Sequence, residues 1–298
     1  MDLRRGIWYY WIVSTATGSS RRAQFERDGF YIFRDVLDEP MLDRLREASD
    51  ASLGEKDEQH FADNVTTGSM ILVDRAFIER HPVFAELIAY PGILEALASL
   101  GFRHPKFGHG RVISKPPHSP RLFWHQDGRF WDDPVSLTPV PIQSFLMFYL
   151  VDTSPENGCL RVVPGSHLKR HSLHDLAPPT QRRENTRYED PHVPAFERAE
   201  GEIDVPLRAG DFVMGYGTLF HASHPNAADQ RRTCLTMWYY PAFPDLPERT
   251  KATVAQVESN TRLADITSPE VSRLLAPLEI DYRGDAEPIT TNTLPSLK

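Results

Sequence analysis

The sequence predicts a mainly β domain, an antiparallel sandwich or barrel, held between helical ends. Three observations point there. The 298-residue chain carries 25 prolines against 17 glycines, which favours loops and short strands over long helices. From about Phe107 the apolar residues fall in short runs bounded by Pro, Gly, Asp and Ser. Before that point they recur at helical spacing. With 40% hydrophobic and 25% charged residues, the chain is ordinary globular material, long enough to bury a sizeable core.

The elements follow in order. Asp38 caps a helix with Pro40 in its first turn and Met41, Leu42, Leu45 and Ala48 along one stripe. Pro91 opens a second helix, whose stripe is Ile93, Leu94, Leu97 and Leu100 and whose stop is Gly101. Strands are expected at Arg111–Ser114, Ile142–Val151, Cys159–Val163, Phe212–Tyr216 and Thr233–Tyr240. The stretch Ser166–Val205 is polar, charged and punctuated by proline, and reads as a functional loop or lid. After Pro241 short helices return, one capped by Ser268 with Pro269 at its first position. One domain is expected over 24–298, with a β core at about 107–241 and a helical extension at 242–298. Residues 1–23 read as a leader segment: its apolar core Ile7–Val13 is short and aromatic, and Asp2 spoils a secretory basic end.

Charge and composition exclude several classes. A net charge of −8 makes a poor partner for nucleic acid or anionic membranes. No apolar run reaches the ~18 residues of a membrane span. Two cysteines, Cys159 and Cys234, 75 residues apart, make neither a disulfide framework nor a zinc cluster, and suit a reducing cytoplasm. The expected partner is a small-molecule substrate.

Chemistry concentrates in two segments. In Phe123-Trp-His-Gln-Asp-Gly128, His125 and Asp127 share a face if the segment is a strand. An imidazole and a carboxylate so placed are two ligands for a divalent metal. One more histidine completes a two-His-one-carboxylate triad with three open positions. That histidine is His221 or His224 of Phe220-His-Ala-Ser-His-Pro-Asn226, although either equally reads as a turn residue beside Pro225. Arg231 and Arg232 come next. Neighbours on a strand face opposite ways, so at most one of them enters a barrel as a carboxylate clamp. A third segment, Glu156 to His167, reads as two turns around a short strand, without chemistry of its own.

Together these segments resemble the phytanoyl-CoA dioxygenase family of Fe(II)- and 2-oxoglutarate-dependent oxygenases. The family's opening matches Phe25-Glu-Arg-Asp-Gly-Phe30, and its Trp-His-x-Asp matches Trp124-His-Gln-Asp127. Its Asn-Gly-x-Leu…Pro-Gly-Ser-His matches Asn157 to His167. Its distal His-x-Ser-x-x-Asn matches His221 to Asn226, with Arg232 eleven residues past the histidine. The resemblance runs in order from about Gln24 to Tyr240. It implies a double-stranded β-helix, the jelly-roll or cupin-like core, with flanking helices.

The resemblance also implies roles. His125, Asp127 and His221 hold iron. Arg232 pairs with the distal carboxylate of 2-oxoglutarate and Ser223 supports it. Gln143, Phe145 and Met147 share the pocket face of their strand, with Met147 beside the co-substrate, and Arg111 reaches the other carboxylate or stands as a rim charge. Trp131, Gln143 and Trp238 are expected around the substrate, the tryptophans equally as pocket wall or core. The implied reaction consumes O2 and 2-oxoglutarate, releases succinate and CO2, and oxidises an unactivated C–H bond. Hydroxylation is its usual ending; desaturation, epoxidation and ring formation are others. The presence of Asp127 argues against halogenation. The run after it, Gly128-Arg-Phe-Trp-Asp-Asp133, disfavours ectoine as substrate. A small natural product is the first expectation. A coenzyme A thioester is the alternative, with Lys169, Arg170, Arg182, Arg183 and Arg187 available for its phosphates. The rival from another class is a jelly-roll binding protein without catalysis.

Overall fold

The computed structural model describes residues 18–128, 130–176, 183–259, 263–291 and 297. Most of the leader, 1–17, lies outside them. Its last residues belong to the domain: helix α1, Gly18–Asp28, starts ahead of the expected boundary. Arg22 fixes it there by donating to the Leu100 carbonyl at 2.9 Å and lying over the Phe102 ring.

Strand β1 (Phe30–Phe33) is followed by helices α2 (Glu39–Gly54), α3 (Glu58–Asp63), α4 (Arg75–Arg80), α5 (Val83–Ile88) and α6 (Pro91–Ser99), with the short strand β2 (Ile71–Leu72) between α3 and α4. The expected caps are present. Asp38 accepts from the Met41 N–H at 2.9 Å, Pro91 opens α6, and Gly101 takes φ +91° just beyond it. Leu45, Phe84 and Leu97, each fully buried, carry the apolar faces of these helices into the main core.

The β region runs β3 (Lys106–Lys115), β4 (Leu122–His125), β5 (Ser144–Tyr149), β6 (Leu160–Val162), β7 (Ile203–Val205), β8 (Phe212–Tyr216), β9 (His221–Ser223) and β10 (Arg232–Tyr240), with the short helices α7 (Leu173–Leu176) and α8 (Arg183–Thr186) between β6 and β7. The strands form two antiparallel sheets, one ordered β1-β8-β5-β10-β3-β2 and the other β4-β9-β6-β7. This is the jelly-roll architecture. Two departures from the expected strand edges stand out. β3 begins well before Arg111, and β4 stops at His125, so Asp127 lies in the bend past the strand rather than on it.

Both faces of the large sheet are covered, so β5 and β10 are buried at every residue and show no polar alternation. Register decides the faces. Tyr239 points outward and donates its hydroxyl to the Ile88 carbonyl of α5 at 2.7 Å. Arg232, Cys234, Thr236 and Trp238 therefore face the barrel interior. Beyond β10, among the described residues, α9 (Glu248–Val257) packs on the end of β10 through Val254 and Tyr240, and α10 (Pro269–Leu275), capped by Ser268 as expected, packs on α5.

Two sequence motifs meet in space. The Gly165 N–H donates to the Asp28 carbonyl at 2.8 Å, and His167 bonds the Glu26 carbonyl at 3.0 Å. Gly29 sits against them at φ +83°, where any Cβ would fall 2.5 Å from the His167 ring. The third segment is structural: it clamps α1 to the barrel.

The expected lid needs correction. Within Ser166–Val205, residues Leu173, Asn185, Ala195 and Phe196 are buried, and β7 pairs with β6. The Trp124 indole N–H donates to the Glu197 carbonyl at 2.9 Å, and Phe196 packs edge-on against Phe123. The described part of this stretch is a wall of the barrel, fixed by aromatic side chains that its polar composition hides. Residues 177–182, Arg182 among them, lie outside the described part.

Candidate active site

Three side chains converge inside the barrel. His125 ends β4, Asp127 follows in the bend, and His221 opens β9, the partner of β4, with His125 and His221 directly paired. One ligand atom from each lies within 4.8 Å of the others. His125 Nε2 is 3.5 Å from Asp127 Oδ1, and His221 Nε2 is 3.6 Å from Asp127 Oδ2. The ring centroids of the two histidines are 4.2 Å apart.

The imidazoles are oriented by backbone. His125 Nδ1 lies 2.9 Å from the Phe123 carbonyl and His221 Nδ1 lies 3.0 Å from the Leu219 carbonyl. A carbonyl only accepts, so each Nδ1 carries the proton and each Nε2 presents a lone pair towards Asp127. His221 Nε2 is buried and has no hydrogen-bond partner. A buried acceptor without a partner is costly, and a metal ion satisfies it.

The charge states agree. Burial pushes the Asp127 carboxyl up, but the His221 and His125 rings and the Trp238 indole N–H outweigh it and hold its pKa at about 2. Burial and the charge of His125 push His221 down to about 4, against the pull of Asp127. At neutral pH Asp127 is a carboxylate and His221 a neutral imidazole, donors that suit a divalent transition metal.

The far end of the same cavity is positive. Arg232 is only 3% exposed, its Nε has no partner, and its guanidinium sits 5.2 Å above the Tyr149 ring. The buried Ser223 hydroxyl beside it is also unpartnered. Across the β10–β3 pair Arg232 faces Lys115, which is fully buried and donates to the carbonyls of Thr66, at 2.7 Å, and Pro120. Burial, then the charge of Arg232, push the Lys115 ammonium well below its ordinary pKa. Among the described residues neither cation forms an ion pair with a carboxylate. Lys115 escaped the sequence reading; strand alternation from Arg111 through Ile113 was the signal for it.

Met147 and Tyr149 of β5 line this cavity, and Phe145 packs on the His221 ring at 4.7 Å. Trp238 also lines it, but as the donor to Asp127 Oδ2 at 2.9 Å. Gln143 and Trp131 do not reach it. They line a neighbouring crevice behind Gly128, because β5 starts only at Ser144 and Trp131 packs with Tyr240, Phe243 and Val254. Arg111 is half-buried on the inner side of β3, opposite Thr236, but outside the wall of the triad cavity; burial lowers its pKa. His224 is elsewhere. It turns away from the triad and bonds Asp204 at 2.6 Å, beside a Cys159 thiol that burial pushes up to about 12. Arg231 also turns away and donates to the Ser114 carbonyl at 3.1 Å.

A sequence profile of the phytanoyl-CoA dioxygenase family matches residues 25–234, most of the chain. The chain belongs to this family. Phytanoyl-CoA dioxygenase 1 of Oryza sativa is 29% identical over 170 residues, 55% of either chain. Ectoine dioxygenase of Sphingopyxis alaskensis is 26% identical over 161 residues, 53% of this chain and 52% of its own. The chain thus spans about half the length of the curated relatives it matches. Among solved structures, the epimerase SnoN in complex with Fe3+, α-ketoglutarate and nogalamycin RO aligns at TM-score 0.56 with 22% identity, covering 76% of this chain and 84% of its own. EctD of S. alaskensis with 2-oxoglutarate and 5-hydroxyectoine aligns at 0.53 with 19% identity, covering 78% and 80%. These likenesses are of fold. For this phytanoyl-CoA dioxygenase family member, no helix among the described residues is long and apolar enough to cross a membrane.

Proposed function

We propose that the chain is an Fe(II)- and 2-oxoglutarate-dependent dioxygenase that oxidises an unactivated C–H bond of a small natural product. One observation carries the reading: two imidazole Nε2 atoms, freed by backbone bonds at Nδ1, face an ionised carboxylate, while an unpaired arginine waits at the other end of the same cavity.

His125, Asp127 and His221 would hold iron, which when bound activates O2 at the expense of 2-oxoglutarate. The backbone bonds keep both rings presented, and the low pKa of Asp127 keeps its charge. Arg232 and Ser223 would take the distal carboxylate of 2-oxoglutarate, pairing a cation that folding alone leaves desolvated. Met147, Ile113 and Leu160 make the intervening wall apolar and keep water out of it.

A coenzyme A thioester gains little support from the loop cations. Three of the five, Arg170, Arg183 and Arg187, already stand beside carboxylates, of Asp175, Glu189 and Asp63, which weakens the positive potential a phosphate would meet. SnoN, whose structure includes nogalamycin RO, favours the natural-product reading. Purified protein given Fe(II) and 2-oxoglutarate under air should release succinate, and chelation of the iron should stop it. No succinate with any member of a natural-product library would defeat the proposal.

A further inference from the structure

The carboxylate of Asp127 is held by Trp238, which lies outside the stretch that matches the family. Trp238 Nε1 donates to its Oδ2 at 2.9 Å. The Trp238 ring is stacked by His109, its cross-strand partner, at 4.7 Å and 24°. His109 Nδ1 in turn lies 3.0 and 3.1 Å from the two oxygens of Glu258. Glu258 is 5% exposed, caps the C-terminus of α9, and also accepts the Tyr240 hydroxyl at 2.7 Å.

The backbone is shaped for this contact. The β3–β10 register shifts between Trp238 and Tyr239, leaving Gly108 as the extra residue. A Cβ at Gly108 would lie 2.8 Å from Glu258 Oε1. The bulge and the missing side chain together let a carboxylate from α9 reach the inner strand.

We infer that Glu258 is a positioning residue for the metal-binding carboxylate, acting through His109 and Trp238. This rests on the reading of Asp127 as a metal ligand. Glu258 fixes the plane of the His109 ring; that ring fixes the indole; the indole N–H fixes which oxygen of Asp127 is engaged. The C-terminal extension is then part of the metal site rather than a cover on the barrel. A purely structural Glu258 would instead tie α9 to the sheet and leave Asp127 indifferent.

Co(II) titration of the whole 298-residue chain separates the two, with affinity and the ligand-field spectrum as readouts. Trp238→Phe and Glu258→Ala should each weaken Co(II) about 10-fold and shift the spectrum in the same way. Glu258→Gln, which still accepts both hydrogen bonds, should restore most of the affinity. The double variant Trp238→Phe/Glu258→Ala should bind no more weakly than Trp238→Phe alone, because both act along one path. Wild-type affinity and spectrum in Glu258→Ala, or full additivity in the double variant, would overturn the inference. If Glu258→Ala does not fold, His109→Leu replaces it in the same comparison with the same two outcomes. A wild-type protein whose Co(II) affinity is unchanged by Asp127→Asn would instead overturn the metal-site reading beneath it.

Discussion

Replacing Arg232 by glutamine tests the proposed co-substrate end of the cavity. Arg232 is 3% exposed and lacks a carboxylate partner among the described residues, so a bound carboxylate would give it its first ion pair. A hydrogen bond to a charged group contributes about 1.5–3 kcal/mol, which at about 1.4 kcal/mol per decade is roughly 10- to 150-fold in affinity. The Fe(II)-loaded Arg232→Gln variant should therefore bind 2-oxoglutarate at least about 10-fold more weakly. Iron should stay, since the triad is untouched. Stability supplies a second sign. Removing a desolvated charge that no protein group compensates should leave the thermal midpoint of the unliganded protein unchanged or higher. Arg231→Gln should change 2-oxoglutarate binding little, because that side chain turns outward to the Ser114 carbonyl. The assay is anaerobic titration of 2-oxoglutarate followed by the absorption of its iron chelate. A large loss in Arg231→Gln with normal binding in Arg232→Gln would refute both the strand register and the site.

Further outcomes follow from the same geometry. His125→Ala or His221→Ala should abolish stoichiometric iron measured by elemental analysis, while His224→Ala, which loses only its bond to Asp204, should keep it. Burial lowers the pKa of His167 to about 4, so the unfolded chain binds the extra proton first as pH falls. Its contribution is intact above the ordinary value near 6.5 and is lost between there and about 4, roughly 2–3 kcal/mol by pH 4.5. Urea unfolding of His167→Gln at pH 7 and 4.5 should show a smaller difference than the wild type; an equal difference refutes it. Gly215→Ala would put a Cβ 2.2 Å from the Phe145 ring that packs on His221, so overpacking of about 1–3 kcal/mol should lower the thermal midpoint and weaken iron. An unchanged midpoint and iron affinity would show that Phe145 is free to move.

The sequence by itself determined the parts whose information is local. The caps at Asp38 and Ser268, the stop at Gly101 and the strand Phe212–Tyr216 depend on a few adjacent residues, and short-range hydrogen bonding and φ preference fix them. The pair His125 and Asp127 was legible because two candidate ligands so close in sequence meet whatever the rest of the chain does. Tertiary structure decided everything that depends on which strands pair. His221 and His224 are equal in sequence; only the β4–β9 pairing puts one beside His125 and sends the other to Asp204. Arg231 and Arg232 are neighbours in sequence; with both faces of β10 buried, no polar alternation tells them apart, and the Tyr239 contact with α5 does. Lys115, Trp238 and Glu258 acquire their roles only through cross-strand register and a bulge at Gly108. Register is a long-range property of the chain, paid for by contacts that single segments do not contain.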